Sequence, residues 1–245
     1  MTLENYLLDD LVHSLLKDAA VYAKEEGRPI VTISYAQSLD GSIAIRRGQA
    51  TAISGAESLK MTHRLRAAQD AILVGIGTVQ ADDPQLTVRE VEGKNPQVVV
   101  LDSELRFPLK ARLLELEAKP WIFCTRSASK EAQLELEQVG ARVFRVGTND
   151  DERVDLRAVL EQLAELNIAS LMVEGGAGVI ASFFDRGLAD QVAITISPIF
   201  IGGLKVIERP INSGDGGKFP RVADPKIERL GDDYVLWGKM RGAGE

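Results

Sequence analysis

Asp70-Ala-Ile-Leu-Val-Gly-Ile-Gly-Thr-Val79 is the stretch on which the fold turns. The apolar run from Ala71 to Val74 is short and suits a strand covered on both faces. Gly75 and Gly77 follow at once, and a short helix is expected after them. A buried strand that runs through glycines into a helix is a building unit of a parallel sheet with crossover helices. Val173-Glu-Gly-Gly-Ala-Gly-Val-Ile180 repeats the arrangement later in the chain.

Working outward, strands are expected at 30–35, 97–101, 121–124, 142–146 and 170–173. Helices are expected from Ser54 to about residue 67 and at 130–139, 155–166 and 176–185. Ser54 with Glu57 three residues on reads as a capping box. Asp40-Gly41 is a tight turn into a second extended piece at 42–45. Beyond residue 190 the pattern becomes extended at 191–197, 226–230 and 234–239, with no long helix between, which predicts antiparallel pairing. The class is therefore α/β, a mostly parallel sheet flanked by helices with antiparallel C-terminal strands. Leu8, Leu11, Val12, Leu15, Leu16 and Ala19 follow helical spacing, so residues 4–26 read as one amphipathic helix ended by Gly27 and Pro29. Residues 1–28 are then an appended N-terminal helix, and 29–245 a single domain. Ser213–Lys218, with three glycines, is a candidate mobile flap.

The 245 residues carry a net charge of −7, which argues against nonspecific nucleic-acid binding but not against a phosphate held by local N–H groups and arginines. One cysteine, Cys124, excludes an intrachain disulfide and fits a reducing compartment. Together with His13 and His63 it shows no zinc-ligand spacing, so no metal is expected. Apolar runs fall well short of the ~18 residues a membrane helix needs. Glu4, Asp9 and Asp10 do not suit a secretory signal, so a cytoplasmic location is expected.

Both glycine turns let a backbone approach a ligand and open helices whose N–H groups favour an anion. Ordinary strand-to-helix turns packed through glycine give the same pattern. Glu174 stands at a strand's C-terminal end, where open α/β sheets place ligand contacts, or simply complements a helix dipole. In Ala81-Asp-Asp-Pro-Gln-Leu-Thr-Val-Arg89, Asp82 and Asp83 could accept from sugar hydroxyls and Arg89 could fork a phosphate; a polar capped loop is the alternative. Arg64 and Arg66 close the helix that starts at Ser54, where cations are favourable in any case. His63, beside Arg64, reads as a surface or boundary residue rather than a general base.

Ser38-Leu-Asp-Gly41, Ile53-Ser-Gly55, His63-Arg-Leu-Arg66, the 70–79 and 81–89 stretches, Val173-Glu-Gly-Gly-Ala177, Leu188-Ala-Asp190, Ser197-Pro198 and Ile201-Gly-Gly203 resemble, in order and spacing, the riboflavin-pathway pyrimidine reductases. The likeness runs from about residue 30 to the C-terminus and covers both the reductase half of the bacterial deaminase/reductase and the stand-alone archaeal and fungal enzymes. It implies a dihydrofolate-reductase-like fold, NADPH as hydride donor, a homodimer, and reduction of a ribosylamino to a ribitylamino group on a pyrimidine 5′-phosphate. Hydride would reach C1′ of the ring-opened Schiff base, and solvent or a nearby group would supply the proton. Residues 29–245 would form the reductase domain. The resemblance assigns Arg66, Leu86, Arg89 and Glu174 to the substrate, the arginines to its phosphate and Glu174 to its ribose hydroxyls. It assigns Ala36, Thr78, Asp82, Thr125, Gly176, Ala177, Gly178, Val179, Ile180, Ala181 and Ser182 to the cofactor.

The chain departs from bacterial members at Ser34, where they typically carry lysine, at Ala52, often tryptophan, and at Ala50, a substrate-contacting serine. Archaeal-type members also lack the lysine. The deaminated 5-amino-6-(5-phosphoribosylamino)uracil is the first expected substrate and the 2,5-diamino pyrimidinone the second. A nucleotide-binding protein without turnover is the reading from another class.

Overall fold

The computed structural model describes residues 3–49, 51–208, 211 and 219–241, with the side chains of 3–9 aside. The Ser213–Lys218 flap and Ala50 lie outside the described residues. Among them the chain runs α1 (Leu3–Leu16), α2 (Ala19–Glu26), β1 (Ile30–Ser38), β2 (Ser42–Ala44), α3 (Ala56–Ala68), β3 (Ala71–Gly75), α4 (Ile76–Asp82), β4 (Gln97–Leu101) and β5 (Trp121–Thr125). It continues as α5 (Lys130–Gln138), β6 (Arg142–Val146), α6 (Leu156–Glu165), β7 (Ser170–Gly175), α7 (Ala177–Asp185), β8 (Gln191–Ser197), β9 (Leu204–Lys205), β10 (Arg221–Leu230) and β11 (Asp233–Arg241).

The main sheet has the order β10-β11-β8-β1-β7-β3-β4-β5-β6. From β8 to β6 each pair is parallel. β11 joins β8 antiparallel and β10 joins β11 antiparallel, as the C-terminal pattern predicted. Every parallel strand therefore ends at one edge, and the late strand β7 is inserted between β1 and β3. That insertion sets the two glycine turns, after β3 and after β7, side by side.

Strand alternation sorts the core. Val31, Ile33, Leu73, Leu171 and Val173 point to one face with Leu160 of α6 and Phe183 of α7. Ile72, Val74, Val98 and Ile122 point to the other, under Val79 of α4 and Leu136 of α5. Met172 and Ala193 lie under Met61 and Leu65 of α3 and Leu11 and Leu15 of α1. No helix among the described residues is long and apolar enough to cross a membrane.

Two local expectations are corrected. Residues 4–26 form two helices rather than one. The Leu15 carbonyl accepts from the buried Gln191 side chain at 2.7 Å, so a partner on the sheet closes α1 where the sequence has no glycine or proline to mark a break. The capping box at Ser54 does not form: α3 starts at Ala56 with Gly55 as its cap, and no cap side chain bonds it. The Gly55 N–H is instead taken by the Asp233 carboxylate at 2.7 Å, a distant partner that moves the helix start.

Candidate functional site

β7 carries a bulge at its C-terminal end. Val173 pairs with Leu73 and Gly175 with Val74, so Glu174 is the extra residue between them. Bulges of this kind re-aim a side chain and are frequent beside active sites. Strand alternation from Met172 puts Glu174 on the α3 face of the sheet. There it meets Arg66 in a two-pronged ion pair: Nε donates to Oε1 and Nη2 to Oε2, both at 2.6 Å. The side chains are only 11% and 13% exposed, so the pair is shielded from water. The Arg66 Nη1 donates to the Thr87 carbonyl at 3.1 Å. Arg66, expected on the phosphate, thus has its guanidinium committed to Glu174 and the loop.

The 81–89 segment is irregular after α4 ends at Asp82. Asp83 and Leu86 hold positive φ of 39° and 53°, conformations that side chains rarely adopt. Asp83 is held by accepting the Arg112 N–H at 2.9 Å. Leu86 is held by its own burial, 5% exposed, in the core under α4 and α5. The loop then presents Arg89 at the surface. The Arg89 Nη1 donates to the Thr87 hydroxyl at 2.8 Å, so Arg66 and Arg89 both bond Thr87, one at its carbonyl and the other at its hydroxyl.

His63 corrects its expectation. It is fully buried, not a surface or boundary residue. Its Nδ1 accepts the Arg89 N–H at 2.9 Å, and its Nε2 has no partner among the described residues. Burial first, then the Arg66 and Arg89 charges, push its pKa below the ordinary histidine value. The sequence signal was there: His63 lies one turn before Arg66 on the same helix face.

The two glycine turns meet as the topology requires. A Cβ on Gly176 would lie 3.3 Å from the Thr78 hydroxyl oxygen. At Gly75 a Cβ would strike Val179 at 2.7 Å, so this glycine is explained by packing of α7 on β3. Gly77 and Gly178 are exposed, and a Cβ on either meets nothing within 4 Å. Their turns leave open space at the sheet edge. α7 starts at Gly176 without a side-chain cap, and the first helical N–H groups, of Ala177 and Gly178, have no partner among the described residues. Of the other residues expected there, Ile180 is buried in the core and could serve only through its backbone. The Ser182 hydroxyl bonds back to the Gly178 carbonyl at 2.7 Å. Asp82 is exposed on α4. Ala36 is half-buried and pairs with Thr195 across β1 and β8. Thr125 is 3% exposed and donates to the Ser103 carbonyl at 2.8 Å, so its hydroxyl already has a partner.

Asp40 explains two further segments. Its carboxylate accepts from the Ser38 and Ser42 hydroxyls and from the N–H groups of Ile201 and Gly202, at 2.6–3.0 Å. Those bonds, Ser38 first, hold its carboxyl well below the usual carboxylate range. Ser38-Leu-Asp-Gly41 and Ile201-Gly-Gly203 are thus two halves of one staple beyond the ends of β1 and β8. Ser34 is 4% exposed on β1, one residue beyond the last β1–β7 pair, Ile33 with Val173.

The chain matches the model of the RibD C-terminal domain over residues 29–236. It is 40% identical over 223 residues to the 2,5-diamino-6-ribosylamino-4(3H)-pyrimidinone 5′-phosphate reductase of Archaeoglobus fulgidus, covering 87% of this chain and 99% of the relative. It is 43% identical to the enzyme of the same name from Methanothermobacter thermautotrophicus, covering 88% and 100%. The riboflavin biosynthesis protein RibD of Aquifex aeolicus is 36% identical; the match covers 94% of this chain and 63% of that longer protein. Among solved structures, Acinetobacter baumannii RibD superposes with a TM-score of 0.78 at 24% identity, covering 92% of this chain and 62% of the other. A dihydrofolate reductase from Enterococcus faecalis superposes at 0.50 with 13% identity, covering 86% and 96%, a likeness of fold alone.

Proposed function

Because this chain belongs to the RibD C-terminal domain family, we propose that it is an NADPH-dependent reductase of riboflavin biosynthesis. In this reading it converts the ribosylamino side chain of a pyrimidine 5′-phosphate to ribitylamino. The observation that carries the reading is the juxtaposition at one sheet edge. The open glycine turns after β3 and β7 lie side by side, and the shielded Arg66–Glu174 pair stands at the bulge between them.

The turns fit a nicotinamide dinucleotide. The N–H groups of Ala177 and Gly178, without a partner among the described residues, and the open space at Gly77 and Gly178 suit phosphates held by backbone. Thr78 and Asp82 flank them, with Ala36 two residues before the end of β1 and Thr125 at the end of β5. When bound, NADPH supplies the hydride. The chain's own residues orient the substrate. Arg89 presents a surface fork to the phosphate. Glu174, already aimed by Arg66, accepts from ribose hydroxyls beside the Leu86 loop. An acceptor fixed in advance orients the side chain without reorganising at the moment of reaction.

The sequence reading puts the deaminated uracil compound first. One observation favours the diamino pyrimidinone: relatives named for it match over their whole length. The test is NADPH oxidation with each pyrimidine phosphate in parallel, with and without EDTA. Turnover of neither compound, with NADPH still bound, would move the chain to the class of non-catalytic nucleotide binders. Loss of activity in EDTA would contradict the metal-free mechanism.

A further inference from the structure

The reading above gives His63 no role, yet a fully buried imidazole is kept one helical turn before Arg66. The loop it touches has few fixed points. Leu86 anchors the loop through the core, the Val88 N–H donates to the Asn95 side chain at 2.8 Å on the surface, and Thr87 lies between the two arginines. At Arg89 itself the backbone is held by His63 Nδ1 and the guanidinium by the Thr87 hydroxyl.

The geometry points to His63 as a positioning residue for substrate phosphate: by accepting the Arg89 N–H it holds the loop that presents the Arg89 fork. This rests on the reading of Arg89 as the phosphate ligand. An imidazole that accepts through Nδ1 must be neutral and carry its proton on Nε2. Protonation would remove the acceptor and place a third cation beside Arg66 and Arg89, with Glu90 and Glu174 the opposing charges around it. Burial and the two arginines outweigh the two carboxylates, so the neutral form is held at neutral pH. Acidification then releases Arg89.

Two variants separate this from simple packing. His63→Phe keeps a ring and removes the acceptor, and His63→Asn keeps an acceptor where Nδ1 stands. The expected result is a rise of about tenfold in KM for the phosphorylated substrate in His63→Phe, the effect of one lost hydrogen bond. kcat and NADPH affinity should stay within about twofold, and His63→Asn should recover most of the loss. In the unaltered protein KM should rise as pH falls below the ordinary histidine value of about 6.5, beyond the rise that the substrate phosphate's own second ionisation at about pH 6 causes, and in His63→Asn only that shared part should remain. Inorganic phosphate titrated by calorimetry gives the same comparison without turnover.

The chain has two histidines, so the spectrum of His63→Asn assigns both imidazoles in ¹⁵N-histidine spectra. His63 should show the neutral Nε2–H form at neutral pH, with a slowly exchanging Arg89 amide. That measurement stands even if His63→Phe folds poorly. A charged or Nδ1–H imidazole, or an unchanged substrate KM in a folded His63→Phe, overturns the proposal. If phosphate binds and weakens in His63→Phe while no pyrimidine is reduced, the functional reading falls and the positioning role stands. If no phosphate binds at all, both fall.

Discussion

Arg89 is exposed at the end of a loop that Leu86 anchors from inside. Arg66 makes three hydrogen bonds, two to Glu174 and one to the Thr87 carbonyl. The phosphate role therefore concentrates on Arg89. Arg89→Ala should raise KM for the phosphorylated substrate about ten- to a hundredfold. NADPH affinity, measured by calorimetry, should stay unchanged. Arg89→Lys should recover part of the loss, since an ammonium keeps the charge without the fork. An unchanged KM in Arg89→Ala would return it to the surface arginine that the sequence alone allowed. Asp40 adds a pH dependence to stability. Its folded carboxyl is depressed by the bonds it accepts, so its contribution to stability is complete above the ordinary carboxylate pKa of about 4 and is lost as pH falls through the folded value. Urea unfolding should show stability dropping less steeply between about pH 5 and 3 in Asp40→Asn than in the unaltered protein. At this scale the residue types of the site were legible in the sequence, while their partners were not. Nothing near Arg66 in the chain announces Glu174, and nothing near His63 announces Arg89.

Among the elements, the two glycine turns divide into packing and opening. Gly75→Ala drives a methyl group into Val179, and overpacking of this kind costs about 1–3 kcal/mol. Gly178→Ala meets nothing and replaces a poor helix former, so stability should hold or rise by up to about 1 kcal/mol. With the proposed cofactor site at α7, NADPH affinity should fall, because the added methyl takes up open space at Gly178 that the proposal gives to the cofactor. Thermal unfolding and calorimetry on the two variants test the division; full NADPH affinity in Gly178→Ala would remove α7 from the cofactor site. Sequence reading found both turns because glycine after an apolar strand is a local signal. It did not separate their roles, since the difference lies in what each added Cβ would meet. The same limit explains Ser54: its capping box was locally sound, and Asp233 from the hairpin between β10 and β11 displaced it.

For the whole molecule, the β8–β11 end of the sheet exposes Ile199, Phe200, Phe219 and Ile227, at 41%, 79%, 69% and 60%. Isolated apolar residues are ordinary on a surface, and the register sets Ile199 and Phe200 beyond one end of these strands and Phe219 beyond the other, so the homodimer implied by the resemblance is proposed through the exposed edge strand β10, which carries Ile227. Light scattering at micromolar concentration should give twice the 26.7 kDa chain mass, and Ile227→Asp should shift it towards the monomer. A monomeric unaltered protein would end that proposal. We propose also that α1 and α2 serve as a fixed cover, since Leu11 and Leu15 are 2% exposed against α3 and the sheet, and Arg28 and Tyr22 both bond Asp190. By itself the sequence determined the class of fold, the order of its elements and the antiparallel change near the C-terminus. Those follow from hydrophobic period and glycine placement, which act over a few neighbouring residues. Only the tertiary structure decided that β7 lies between β1 and β3, that a bulge turns Glu174 onto Arg66, and that His63 is buried under Arg89. Those are contacts between residues far apart in the chain, and the free energy that selects them comes from burial and paired charge, which no local pattern encodes.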